Sequence, residues 1–431
     1  MKFSKNTRIV LLSGLLLFLL ACLIVAVSPL RDSIVFKADQ MFTRLFYWIQ
    51  APERNAFVPD TATADLTPAA TFTPSLQPSP TFTATLPPEQ DTATPTPTVT
   101  PMPTMVKLEN VKYIDQHGLF NYCAPANLSM ALAYWGWEGD RTDVGNVVKP
   151  NADDFNVMPY ELVDYVNQNT AFRALSRTGG TEDLVKKLIA NGFPVVLEAG
   201  RYMVDLTGKL SWMGHYTFVT GYDDTAAEFN TQDSYYDPDY KVTYDEMQEW
   251  WRAFNFVFIV VYPPEREAEL TNLLGDYADL ATANRIAYDL ATDEVWNLTG
   301  VQQFFAWFNR GSSMVDLNDY VGAAESYDQA FLANQALEEG QRPWRMMWYQ
   351  TGPYFAYYLT GRYNDVIKLA DQTFDNARTK SLEESYVWRA RAYAALGSLG
   401  DANSDLCKAL EYHPGFAPAE QELQTLGLTC E

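Results

Sequence analysis

One cysteine stands where its thiol could act as a nucleophile. Cys123 follows Asn121 and Tyr122 and opens a predicted helix, and Pro125 falls in the first turn of that helix. Proline is tolerated there because its missing N–H would have no helical partner anyway. The positive end of a helix stabilises a thiolate, which is the form of cysteine that attacks carbonyl carbons. We therefore predict that Cys123 is a nucleophile.

A thiolate nucleophile needs a neighbouring group that holds and returns a proton near neutral pH, and histidine is suited to that task. The chain contains 3 histidines. His413 belongs to the C-terminal part of the chain, which has a helical pattern, and His117 lies in the loop before Cys123. His215 begins a predicted strand, so a rigid element would hold its ring. The sequence therefore predicts His215 as the base.

Two further side chains would complete such a site. An imidazole base needs an acceptor that orients its ring. Asp233 lies on the next strand-like stretch after His215, and Asp237 is the alternative. The tetrahedral intermediate of acyl transfer places negative charge on an oxygen, which requires preorganised hydrogen-bond donors. We expect the backbone N–H of Cys123 and the side chain of Gln116 to supply them.

Each of these residues alone has a more ordinary explanation. A lone cysteine is more often a small buried apolar residue than a nucleophile. A lone histidine near a strand end is usually a surface residue or one with a structural hydrogen bond. The combination of a thiol, a base, an orienting acid and an oxyanion donor favours catalysis.

The same residues resemble the bacteriocin-processing, double-glycine leader peptidase family. The resemblance rests on Gln116, Asn121–Ala126, Gly214–Asp223 and Asp233, and it covers roughly residues 108–262. It implies a papain-like fold, with Cys123 as nucleophile, His215 as base, Asp233 as orienting acceptor and Gln116 as oxyanion donor. The best-known members are fused to ABC exporters. Nothing in this chain resembles an ATPase, so the chain is similar to the stand-alone branch.

The elements that would position these residues indicate an α+β fold. Helical spacing predicts three helices, and β-branched and aromatic residues predict three strands after them. The helices span residues 124–134, 159–168 and 181–190, and the strands span residues 193–198, 215–222 and 256–262. Helices first and strands later favour an α+β domain over alternating βα units.

The rest of the chain, after Arg266, has a helical pattern with a weak internal repeat. One copy runs from Trp307 to Ala330, a second from Ala390 to Pro414, and a degenerate copy lies between them at Tyr357–Ala370. Small residues would let paired helices approach, and aromatic residues would fill the grooves between pairs. The spacing predicts an all-α tetratricopeptide-like domain; an ordinary helical bundle is the alternative.

The N-terminal part of the chain predicts attachment to a membrane. The stretch Ile9–Val27 is apolar and uncharged, which matches the length of a membrane-spanning helix. Basic residues before it favour a cytoplasmic N-terminus and export of the remainder. A cleaved signal peptide and a lipoprotein modified at Cys22 are the alternatives. The Thr/Pro-rich stretch that follows predicts an extended stalk, which would span on the order of 100 Å.

These patterns divide the chain into five parts: 1–30, a cytoplasmic N-terminus and transmembrane anchor; 31–57, a juxtamembrane helix; 58–105, a disordered stalk; 106–267, the papain-like domain; and 268–431, the helical repeat domain. The catalytic and repeat domains of this single-pass protein would lie on the extracytoplasmic side. Cysteines are usually oxidised there. The economical pairing joins Cys407 to Cys430 and leaves Cys123 free to react.

Charge and composition exclude several classes of function. A net charge of −23 argues against nucleic-acid binding, which depends on Lys and Arg at phosphates. Scattered histidines argue against a metal site, and the predicted chemistry needs no cofactor. The leading hypothesis is a cysteine peptidase that acts on a peptide or protein. The alternatives are an inert scaffold whose helical repeats bind a protein partner, and a papain-fold acyl transferase.

Overall fold

The computed structural model describes residues 31–60, 102–205 and 208–430. The predicted membrane anchor, and residues 61–101 of the predicted stalk, lie outside this part of the chain. Among the described residues, no helix combines the length and apolar character needed to cross a bilayer. The first described element is helix α1 (Arg31–Ile49).

A sheet of seven antiparallel strands organises the first half of the folded chain. The strand order is β2-β7-β3-β4-β5-β6, and β1 pairs with the end of β4 beyond β3. The strands are β1 (Met105–Lys107), β2 (Arg173–Arg177), β3 (Val195–Val204), β4 (Leu210–Asp223), β5 (Glu228–Gln232), β6 (Tyr240–Thr243) and β7 (Phe258–Tyr262).

Helices cover both faces of this sheet. They are α2 (Cys123–Tyr134), α3 (Arg141–Val148), α4 (Pro159–Asn169), α5 (Glu182–Ala190) and α6 (Tyr244–Arg252). Leu128 of α2 is buried with Val196 and Phe218 on one face. Leu188 of α5 is buried with Val195 on the other. Because alternate strand residues point to opposite faces, this central sheet is apolar on both sides.

Short-range signals predict the helices of this half well. The side chain of Thr181 caps α5 by accepting a hydrogen bond from the Leu184 backbone N–H, as expected for an N-cap. Two of the three predicted strands, β3 and β4, are longer than predicted, whereas β7 is two residues shorter. β4 begins at Leu210, so the expectation that His215 begins a strand is wrong, and His215 lies inside it. The reason is the pairing of β3 with β4, which continues in register as far as Val204 and Leu210.

The chain after β7 is helical, as predicted. Its helices are α7 (Glu267–Leu274), α8 (Leu280–Asn297), α9 (Gly300–Asp316), α10 (Tyr320–Ala336), α11 (Met346–Tyr349), α12 (Gly352–Leu359), α13 (Tyr363–Asp375), α14 (Glu383–Ala395), α15 (Leu399–Tyr412) and α16 (Ala417–Leu426). Gly311 of α9 lets the ring of Tyr327 from α10 approach closely, because a Cβ atom on Gly311 would lie 2.8 Å from it. Assignment of these helices to the tetratricopeptide family stays a prediction.

Cys407 and Cys430 form a disulfide, and Cys123 is free. The pairing predicted from the cysteine positions is therefore present in the structure. It ties α15 to the chain after α16.

The segment before the predicted stalk packs on the C-terminal helices. Tyr47 of α1 is buried with its ring 5.4 Å from that of Trp344, and Phe57 is buried 4.8 Å from Phe331. The Asp60 backbone N–H donates to the Asp365 carboxylate at 3.0 Å. We expected a tether of on the order of 100 Å between an anchor and the folded domains. The chain instead contacts the C-terminal helices before residue 61, since the apolar residues before the Thr/Pro stretch find partners there.

Candidate active site

Cys123 is the first residue of α2, as the sequence predicts. The turn before it is fixed by Lys149, whose buried ammonium group donates to the backbone carbonyls of Phe120, Asn121 and Asp154 at 3.0, 3.2 and 2.7 Å. Asn121 takes a positive φ of 46° in this turn. The helix start and the Lys149 charge therefore give the Cys123 thiol an electropositive setting.

His215 reaches Cys123 from the middle of β4 and is 4% exposed. Its Nε2 lies 3.0 Å from Oδ1 of Asp233, which leaves Nδ1 for the thiol. Burial alone would lower the pKa of His215. The charge and hydrogen bond of Asp233, together with the hydrogen bond to Cys123, outweigh burial and raise this pKa to about 9.

The pKa of Cys123 shifts in the opposite direction. Burial raises the pKa of its thiol, but the hydrogen bond and positive charge of His215, with a hydrogen bond from the Tyr216 backbone, lower it overall. A raised histidine pKa beside a lowered cysteine pKa favours proton transfer from sulfur to nitrogen. Both shifts therefore favour the thiolate–imidazolium form of the pair over the neutral form.

Asp233 follows β5 directly, and four donors hold its fully buried carboxylate. Oδ1 accepts from His215 and from the backbone N–H groups of Tyr235 and Tyr236, at 3.0, 3.0 and 3.1 Å. Oδ2 accepts from the Arg201 guanidinium at 2.6 Å. Burial would raise the pKa of Asp233, but these partners, His215 foremost, lower it. The carboxylate therefore stays charged and orients the imidazole.

The alternative acid, Asp237, lies next to this site but contacts Asp233 through its backbone. Its carbonyl oxygen accepts from the Asp233 N–H at 3.2 Å. Asp233, not Asp237, is therefore the carboxylate that the fold places on His215.

Gln116 lies in the same site, held by a chain of hydrogen bonds. Its Oε1 accepts from the Ser234 hydroxyl at 2.8 Å, and that hydroxyl is 2.9 Å from Nδ2 of Asn127. The same Nδ2 lies 2.9 Å from the Cys123 carbonyl oxygen. Because Oε1 is occupied by a donor, the Gln116 amide nitrogen is left for the cavity.

A cavity of about 130 Å³ joins these groups. Gln116, Cys123 and His215 line it, and the remaining wall includes seven aromatic or methionine residues: Phe120, Phe155, Met203, Met213, Tyr216, Tyr235 and Tyr349. Glu198 also lines it, and burial raises the pKa of this carboxyl well above its usual range. The thiol therefore opens into a mostly apolar cleft.

The other two histidines are engaged elsewhere. His117 lies at the exposed rim of the cleft, where its Nδ1 is 2.6 Å from Asp115 Oδ1. His413 lies in the C-terminal helices, 2.7 Å from the Glu383 carboxylate. Within the described ranges, no group of three or more His, Cys, Asp or Glu side chains could hold a metal ion.

Several residues of the site have no place in the sequence-based prediction. Arg201 holds Asp233 from β3, stacked between Tyr236 and Trp250 with its Cζ 4.6 and 4.7 Å from their rings. A charged residue within an otherwise buried strand was the available signal. Asn127 and Ser234 carry no such signal, because the contact that brings them together joins residues that are far apart in the chain.

Comparison with known proteins finds similarity over the part of the chain that contains the site. Residues 108–259 match the Peptidase_C39 like family. A solved structure from Bacillus anthracis, assigned as a C39-like peptidase, is 20% identical, covers 36% of this chain and 96% of its own, and has a TM-score of 0.31. No curated protein matches the chain. The stretch that is similar to C39-like peptidases therefore contains most of the antiparallel sheet, and a helical C-terminal region follows it.

Proposed function

We propose that the chain is a cysteine peptidase in which Cys123, His215 and Asp233 form the catalytic triad. One observation carries this proposal: His215 links the free thiol of Cys123 to a buried, ionised Asp233, with the pKa of His215 raised and that of Cys123 lowered. A structural cysteine needs no such partners. The match to the C39-like family supports the same activity.

In the first half of the reaction, the Cys123 thiolate attacks the carbonyl carbon of a peptide bond. The oxyanion that forms receives hydrogen bonds from the Gln116 amide and the Cys123 backbone N–H. His215 then gives its proton to the leaving amine as the C–N bond breaks. The products of this step are a free amine and a thioester on Cys123.

In the second half, neutral His215 takes a proton from water as the water oxygen attacks the thioester. The C–S bond breaks, the carboxylic acid product leaves, and the proton on His215 restores the starting ion pair with the thiolate. Asp233 keeps the ring oriented through both halves because its hydrogen bond is to Nε2, not to the reacting nitrogen.

We also propose that the peptidase is anchored to a membrane and faces the extracytoplasmic side. The apolar stretch Ile9–Val27 supports an anchor. The outer face of α1 supports it as well: Phe42, Leu45, Trp48 and Ile49 are each more than half exposed, while Tyr47 faces the C-terminal helices. Such an apolar face beside an anchor suits the headgroup boundary of a bilayer.

The activity is tested by labelling with a thiol-directed probe at neutral pH. We expect a peptidyl epoxide to modify Cys123 in the full chain in preference to the unfolded chain, because only the folded site supplies a thiolate. In a Cys22→Ala background, Cys123→Ala should abolish labelling, since Cys407 and Cys430 are paired. Equal labelling of folded and unfolded chains would contradict the proposal. Comparing exported proteins in cells with wild type and Cys123→Ala would then identify substrates.

The location is tested with a maleimide that does not cross membranes. Applied to intact cells, it should modify wild type but not Cys123→Ala. Modification that occurs only after the cells are broken would place the site on the cytoplasmic side.

A further inference from the structure

The C-terminal helical region contributes directly to the cleft around Cys123. Tyr349, the last residue of α11, lines the same cavity as Cys123 and His215. Its ring lies against Gly214, the residue before His215. A Cβ atom on Gly214 would be 3.0 Å from this ring and 2.9 Å from that of Phe254. The absence of a side chain at Gly214 therefore leaves room for the Tyr349 ring in the cavity wall.

A neighbouring residue ties the opposite rim of the cleft to the same helix. The buried Arg345 guanidinium donates to the Ser211 hydroxyl, to the Trp212 carbonyl oxygen at 3.0 Å and to the Asp205 carboxylate at 2.9 Å. Val204, the last residue of β3, and Asp205 in the β3–β4 connection line the cavity. Arg345 thus fixes one rim of the cleft from the helical region.

The helical region also supports the cavity wall at Phe155. Phe155 lines the cavity, and the ring of Trp348 packs behind it at a centroid distance of 4.2 Å. Residues 345–349 therefore meet the cleft at three points, through Arg345, Trp348 and Tyr349. All three lie outside the stretch that matches the C39-like family.

We propose that Tyr349 is a substrate-positioning residue and that the helical region completes the peptide cleft. A bound peptide that presents a carbonyl to Cys123 would lie against the Tyr349 ring. The ring's neighbours Trp212 and Phe254 hold it rigidly, with centroids at 5.9 and 5.8 Å. An immobile aromatic wall gives contact area at little cost in conformational entropy. This inference rests on the proposed peptidase activity.

The test compares two reagents that modify Cys123 in the full chain. Iodoacetamide is small and reports the reactivity of the thiolate, whereas a peptidyl epoxide must also occupy the cleft. For Tyr349→Leu we expect the second-order rate of the epoxide to fall about tenfold, which is the value of one good aromatic contact. The rate of iodoacetamide modification should stay within about twofold of wild type. The slower epoxide reaction should result from weaker binding of the epoxide, with its limiting rate of modification unchanged.

Two variants serve as controls. Tyr349→Phe keeps the ring and should behave like wild type with both reagents. Tyr354→Leu removes another buried tyrosine of the helical region, whose hydroxyl contacts Thr373 and Ser385, and should leave both rates unchanged. Thermal unfolding shows whether each variant is folded.

Three results would overturn the inference. An unchanged epoxide rate in Tyr349→Leu would mean that the ring makes no contact with a bound peptide. A faster epoxide rate would mean that the ring obstructs the cleft, and an equal loss with both reagents would mean that it only supports the fold. Failure of the proposed activity looks different, because wild type itself would then show no preferential labelling of Cys123.

Discussion

The two halves of the molecule bury charged side chains in different patterns. In the half that contains the sheet, Arg201, His215 and Asp233 form a chain of contacts that ends at one thiol. In the helical half, buried or half-buried ion pairs join helices to one another and to the turns between them. Arg362 contacts Asp328 and Asp365 at 2.8 Å each. Arg389 contacts Asp405 at 2.7 Å and also Asp371.

The difference lies in what each charge stabilises. A pair such as Arg389 and Asp405 satisfies both partners, so its effect is confined to the helices that it joins. Asp233 also has an arginine partner, but its second oxygen acts on His215, and His215 acts on Cys123. The same types of residue therefore fix the fold in one half and the protonation of a nucleophile in the other.

The largest expected effect comes from neutralising matched carboxylates, one in each half. Asp233→Asn removes the charge that raises the pKa of His215, so the imidazolium and the thiolate are both lost near neutral pH. We expect the rate of Cys123 alkylation by iodoacetamide at pH 7 to fall about 100-fold. Asp365→Asn removes an equally buried carboxylate from Arg362 and should leave the rate unchanged. Similar losses in both variants would mean that Asp233 has only a structural role.

A smaller effect is expected from the arginine partners, measured as a pH dependence. An imidazolium beside Cys123 attracts iodoacetate, which is an anion, but not iodoacetamide, which is neutral. The ratio of the iodoacetate rate to the iodoacetamide rate should therefore fall as pH rises through about 9, where His215 loses its proton. Arg201 lowers the pKa of His215 by its charge. In Arg201→Met the fall should therefore move to higher pH, by about one unit or less.

The matched control for that shift is Arg389→Met. Like Arg201, Arg389 packs against an aromatic ring, that of Phe374 at 4.7 Å, and pairs with carboxylates, those of Asp371 and Asp405. Its loss should lower the thermal stability of the chain without moving the pH at which the ratio falls. A shift to lower pH in Arg201→Met would contradict the assigned direction.

The ion pair between His215 and Asp233 also makes the stability of the folded chain depend on pH. The pKa of His215 is raised in the folded chain from an ordinary 6.5 to about 9. The contribution of His215 to stability is therefore fully present below about 6.5 and is lost as pH rises through about 9.

The parts of the site that the sequence could predict are those encoded next to one another. Cys123 is identified by its helix start and Pro125, and His215 by elimination among three histidines. The structure brings both together with Asp233 and Gln116. The catalytic roles of these residues remain to be tested by the experiments above.

The parts that it could not predict depend on long-range packing. Arg201 meets Asp233 because β3 and β5 flank β4, and Tyr349 meets Gly214 because the helical region folds back on the sheet. The position of Arg201 in a buried strand is a local signal, but no local pattern identifies Asp233 as its partner or Gly214 as the partner of Tyr349. The docking of Tyr47 and Phe57 was missed for the same reason, since apolar residues near a predicted anchor can as readily face lipid.

The smallest expected effect on the reactivity of Cys123 comes from removing the disulfide in the helical half, which should mainly affect stability. Replacing Cys407 and Cys430 by serine removes a link across a separation of 23 residues and should lower the free energy of unfolding of that region by about 3 kcal/mol. The iodoacetamide rate of Cys123 should not change, because this pair lies beyond the helices that reach the cleft. The epoxide rate is the sharper measurement, since residues 345–349 would transmit any loosening of the helices to the cleft walls. A fall in the epoxide rate would show that the two halves are coupled as far as the last helix, whereas an unchanged rate would confine the coupling to α11 and its immediate neighbours.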